Sequence, residues 1–147
     1  IKLLLYRKYT TTLLCFFCYN LPMLAATIAT ILIITILCTF QILLAYGKPF
    51  GEFAWGGHHK VLPKKLRVAS ILSIFIYLAI AVCLVSKSGL YQIIPKGKLL
   101  DTLVWIILAY FILGIFLNAI SPNKSERYTM TPIAIILAIC VLIIAIT

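Results

Sequence analysis

The sequence predicts an all-α polytopic membrane protein, an antiparallel bundle of four transmembrane helices preceded by an N-terminal interfacial or extended helix. Three observations carry this. Hydrophobic residues make up 64% of the 147 and charged residues 11%, too few charges to cover the surface of a soluble fold this size. The apolar residues gather into four runs of about the 20 residues that a bilayer crossing needs. The charges fall almost entirely in the gaps between those runs.

Taken in order, residues 1–19 mix basic, hydroxyl and bulky apolar side chains, with Lys2, Arg7 and Lys8 inside an apolar stretch. They read as an interfacial helix or as an extension of the first span bent at Pro22. No small-residue cleavage site precedes the first span, so the segment does not read as a cleavable signal peptide. The first span is Leu21–Gly47, free of charge, with Pro22 near its start and Gly47 and Pro49 at its end. The second is Leu66–Ser86, with Arg67 in its first turn placed to snorkel to the headgroups. The third is Leu99–Ile120, with Asp101 near the positive end of the helix dipole. The fourth is Tyr128–Thr147, with Pro132 in its first turn and Thr129 or Thr131 as its cap. The whole, 1–147, reads as a single membrane domain, and its short connections force neighbouring spans to run antiparallel.

The net charge of +10 does not point to nucleic acid. Basic residues beside membrane spans attract anionic lipid headgroups and bias topology. The N-terminal segment and second connection hold Lys2, Arg7, Lys8, Lys87, Lys96 and Lys98. The first and third connections hold Lys48, Lys60, Lys64, Lys65, Arg67, Lys124 and Arg127. This near balance sets no strong orientation. The dense cluster Lys60–Arg67 favours the first and third connections as the cytoplasmic ones, in a cell membrane.

Three chemistries have partial signals in the sequence. Cys15 and Cys18 form C-F-F-C, a spacing used by four-span disulfide-forming enzymes of the vitamin K epoxide reductase type. Those enzymes relay electrons through a second cysteine pair in a loop, and no connection here contains a cysteine. His58 and His59 offer imidazoles, but a metal site wants three or four ligands and only Glu52 is near. Proton-coupled transport needs an ionisable group within a span, whereas Glu52, Asp101 and Glu126 lie at or beyond span ends. The expectation is therefore no catalytic residue, no metal site and no cofactor.

The connection GKPFGEFAWGGHHKVLPKKLRVAS, Gly47–Ser70, stands apart. It holds Gly47, Gly51, Gly56 and Gly57, four of the seven glycines in the chain, and is stiffened by Pro49 and Pro63. Phe50, Phe53 and Trp55 suit the membrane interface. The stretch reads as a compact, partly re-entrant cap. Its two readings are a lid over its own helix ends and a surface for a partner or ligand. The candidate contact residues are Glu52, Phe53, Trp55, Gly56, Gly57, His58, Lys64, Lys65 and Arg67, joined by Lys124, Glu126 and Arg127 from the third connection.

The Gly47–Ser70 stretch, with N-A-I-S-P-N-K-S-E-R-Y-T-M-T-P over Asn118–Pro132, resembles a family of small four-span bacterial membrane proteins of unassigned function. The likeness rests in the second stretch on Asn118, Ser121, Lys124, Glu126, Arg127 and Pro132, and departs from the family at Pro122, where a basic residue is usual. It implies family and layout but no activity. If the two stretches share a face, Glu52 or Glu126 could pair with Arg67 or Arg127 and staple the hairpins together.

By elimination, the sequence reads as an accessory, regulatory or structural subunit of a bacterial membrane complex. An example of this class is the small four-span component that works with a lipoprotein on a sensor kinase, the SaeQ type. The expected partners are a bilayer with anionic headgroups and another membrane protein. The alternatives are a transporter or channel subunit for an uncharged or zwitterionic solute, and a headgroup-level enzyme using Glu52 or His58.

Overall fold

The computed structural model describes the backbone from Lys2 to Thr147 and the side chains from Leu21 onward. Its helices are α1 (Lys2–Ala45), α2 (Lys64–Ser88), α3 (Lys98–Ala119) and α4 (Lys124–Ile146). Four segments are long and apolar enough to cross a bilayer: Leu21–Ala45, Lys64–Ser88, Lys98–Ala119 and Lys124–Ile146. The chain is thus a multi-pass membrane protein built as a four-helix bundle. The N-terminal segment continues the first span as one helix, with Pro22 inside it. The side chains of residues 2–20, including Cys15 and Cys18, lie outside the described side chains.

The helix ends follow local chemistry. α1 stops in a Schellman turn: Gly47 takes φ +79°, its N–H reaches the Leu44 carbonyl, and the Lys48 N–H reaches the Leu43 carbonyl. α2 ends on left-handed Gly89, whose N–H donates to the Ser86 carbonyl. α4 begins earlier than the sequence reading, which set its start at Tyr128 and its cap at Thr129 or Thr131. Asn123 is the cap, its side-chain oxygen accepting the Ser125 N–H at 2.8 Å. The earlier start places Pro132 inside the helix and not in its first turn.

Each helix buries a narrow stripe and turns the rest outward, as membrane helices can when lipid is the solvent. The stripes meet in a core of Met23, Ala26, Ile34 and Leu37 from α1, Ile80 and Leu84 from α2, Val104, Leu108 and Phe111 from α3, and Leu137, Val141 and Ile144 from α4. Thr27 and Thr30 are fully buried without stray polarity, because each hydroxyl donates to the carbonyl four residues earlier at 2.8 Å. The α1–α2 and α3–α4 hairpins pack tightly and join along α1 and α4, whereas α2 and α3 meet only sparingly. At the end away from the cap, Lys87 and Asp101 pair at 2.9 Å. There the Ser86 hydroxyl accepts the Ile94 N–H and ties down the second connection.

Candidate functional site

The connection between α1 and α2 is a folded cap. Two short 3-10 turns, Gly51–Phe53 and Trp55–Gly57, fold back on residues 59–62. Leu44, Ala54 and Leu62 form a small buried cluster beneath it, with Phe40 and Leu66 packed alongside. The Gly51 N–H donates to the Lys60 carbonyl at 2.9 Å. A Cβ at Gly51 would collide with the His59 carbonyl oxygen, so this close backbone crossing excludes any larger residue.

The third connection braces the cap. Glu126, 5% exposed, accepts the Gly56 N–H at 3.2 Å with one oxygen and a short hydrogen bond from the Ser121 hydroxyl with the other. Asn123 donates from its side-chain amide to the Gly57 carbonyl at 2.9 Å while capping α4 with its oxygen. Gly57 sits at φ +64°, and a Cβ there would strike Asn123. The glycine pair is therefore fixed by both conformation and contact. Trp55 also holds a left-handed φ of 57°, costly for a bulky residue, and its indole N–H donates to the fully buried Ser70 hydroxyl at 3.2 Å.

The two motif stretches do meet, though by other atoms than the charged pairs considered from the sequence. Neither Arg67 nor Arg127 is an ion partner of Glu52 or Glu126 among the described residues. Glu52 lies 3.9 Å from Lys60 in an exposed pair. Arg67 does not snorkel outward. Its Nε donates to the Leu62 carbonyl at 2.8 Å, and its guanidinium lies against Gly47, where a Cβ would be 2.6 Å away. Arg127 stands over the Tyr128 ring at 5.5 Å. His58, Lys64, Lys65 and Lys124 are exposed, with His59 and Lys60 beside them. No group of three metal-ligating side chains occurs among the described residues.

Beneath the cap lies a cavity of about 540 Å³ between all four helices. Phe53, Ala54, Trp55 and Gly56 roof it together with Ser121 and Glu126. Leu37, Phe111 and Leu137 lie at its deep end, and Gln41, Ser73, Tyr77, Tyr110, Gly114 and Asn118 contribute to its walls. Sequence reading named the cap but missed this space, because four segments distant in the chain enclose it. Asn123 was legible in hindsight: N-K-S-E is a capping pattern, polar cap followed three residues on by glutamate. No family model, curated protein or solved structure matches the chain.

Proposed function

We propose that the protein is an accessory or regulatory subunit of a membrane assembly, bacterial in the reading its motifs suggest, that acts by contact and not by chemistry. The observation behind this reading is the braced cap. Two left-handed glycines, a left-handed Trp55, and the Glu126 and Asn123 hydrogen bonds hold it in one conformation. The exposed His58, His59, Lys60, Lys64, Lys65 and Lys124 lie around it. A rigid display of this kind binds without the ordering penalty of a slack loop. Its cations favour an acidic partner or anionic headgroups at roughly 1 kcal/mol each near a charged surface.

The cavity favours a second reading, passage of an uncharged or zwitterionic solute. Against a through-path, the bundle below the cavity is filled by the buried side chains of Ile34, Leu84, Val104, Val141 and Ile144. A headgroup-level enzyme finds less support, since neither Glu52 nor His58 lines the cavity and the buried carboxylate there is Glu126.

The test is photocrosslinking in native membranes, with a crosslinking amino acid placed singly at His58, Lys60, Lys64 or, at the opposite end, Gln92. A contact-acting subunit gives one adduct of constant mass from the cap positions and none from Gln92. Gly57→Val, in a protein that still accumulates, removes that adduct. Equal adducts from both ends, or none from the cap, would sink the reading.

A further inference from the structure

We propose that the cavity under the cap binds a single-chain amphipath whose polar end is an uncharged hydroxyl group, of the monoacylglycerol or long-chain alcohol type. This goes beyond the accessory role and holds whether or not a protein partner exists. The first argument is shape. The cavity's 540 Å³ falls in the range of roughly 300–1,000 Å³ typical of small-molecule sites. It is closed below by the core and above by the cap. Its wall at α3 carries Leu113 and Leu117, with Ile120 just past the helix end, which are 56%, 57% and 74% exposed, on the side where α2 and α3 pack least. In a bilayer this side faces acyl chains, so the ligand enters from the membrane.

The second argument is the polar end. Gln41 is 7% exposed, lines the cavity, and its buried side-chain oxygen has no hydrogen-bond partner. Buried acceptors without donors are rare in folded proteins, and turning the Gln41 amide toward the cavity lets a ligand hydroxyl supply the missing donor. Glu126, in the cavity roof, has no ion partner among the described residues, so an anionic headgroup would be repelled as well as desolvated. A hydroxyl avoids both penalties.

The third argument is Gly114. It lies within α3, where glycine weakens a helix, yet a Cβ added there meets nothing within 4 Å. Close helix packing does not explain it. Its missing side chain instead keeps the cavity wall open.

The experiment uses the full chain in phosphatidylcholine vesicles with three diazirine-bearing probes of equal chain length: a monoacylglycerol, the free fatty acid and its methyl ester. The monoacylglycerol is expected to label the Tyr110–Leu117 and Met130–Leu137 segments roughly tenfold more than either other probe, a difference one buried hydrogen bond can supply. Gln41→Leu, which removes the orphan polar group and leaves the fold intact by circular dichroism, brings monoacylglycerol labelling down to the ester's level. Gly114→Leu blocks labelling of both segments. Equal labelling by the ester marks ordinary lipid filling, and strong labelling by the fatty acid contradicts the charge argument. Either result, or undiminished labelling of Gln41→Leu, overturns the proposal.

Discussion

At Glu126 a carboxylate that looks like a surface charge in the sequence is buried and spent on holding backbone. It sits in the first turn of α4, where the helix dipole favours it, and satisfies the Gly56 N–H and the Ser121 hydroxyl. Glu126→Ala leaves both donors without an acceptor and is expected to lower stability by about 1–3 kcal/mol. Glu126→Gln keeps one acceptor oxygen and is expected to lose less. Denaturant unfolding in detergent micelles measures both. If the two variants match the parent, the bond to Gly56 contributes nothing and the cap is held by its apolar cluster and its other hydrogen bonds. Trp55 was legible from the sequence as an interface aromatic, but its left-handed backbone was not, because nothing local predicts a strained φ at tryptophan.

The four spans were legible as elements because length and lack of charge suffice to identify them. Their ends were less so. α4 extends back to Lys124 because Asn123 caps it, a choice made by one side-chain hydrogen bond and not by hydropathy. The element order fixes a labelling pattern. The cap and third connection interlock and so share one face, while Gln92 lies in the connection at the other end. Single cysteines at His58 and Lys124 are expected to react with an impermeant thiol reagent from one side of sealed vesicles, and a cysteine at Gln92 from the opposite side, in a background lacking the native cysteines. Any other pattern removes a span from the count.

Across the whole molecule, the two hairpins are joined by the α1–α4 core and by the cap brace. Asn123 serves the brace twice, capping α4 and binding the Gly57 carbonyl. Asn123→Ala is expected to cost about 2 kcal/mol, near the sum of a typical N-cap and one hydrogen bond. It should also raise amide exchange across Gly51–Gly57, whereas Asn123→Asp keeps the helix cap and loses only the bond to Gly57. Hydrogen exchange in detergent separates the two. Unchanged exchange in Asn123→Ala would mean that Asn123 adds nothing to the brace beyond the Glu126 bond.

Composition and the spacing of charges by themselves determined the membrane setting, the four spans and the location of the cap. Those depend on the transfer of apolar segments into lipid and on the backbone needs of glycine, both properties of local sequence. Only the tertiary structure decided which atoms Glu126, Asn123 and Arg67 engage, since a polar group near a helix end has several partners within reach and packing selects one. It alone decided that Gln41 and Gly114, unremarkable on their own helices, face a common cavity, because an enclosed space is a property of four helices at once.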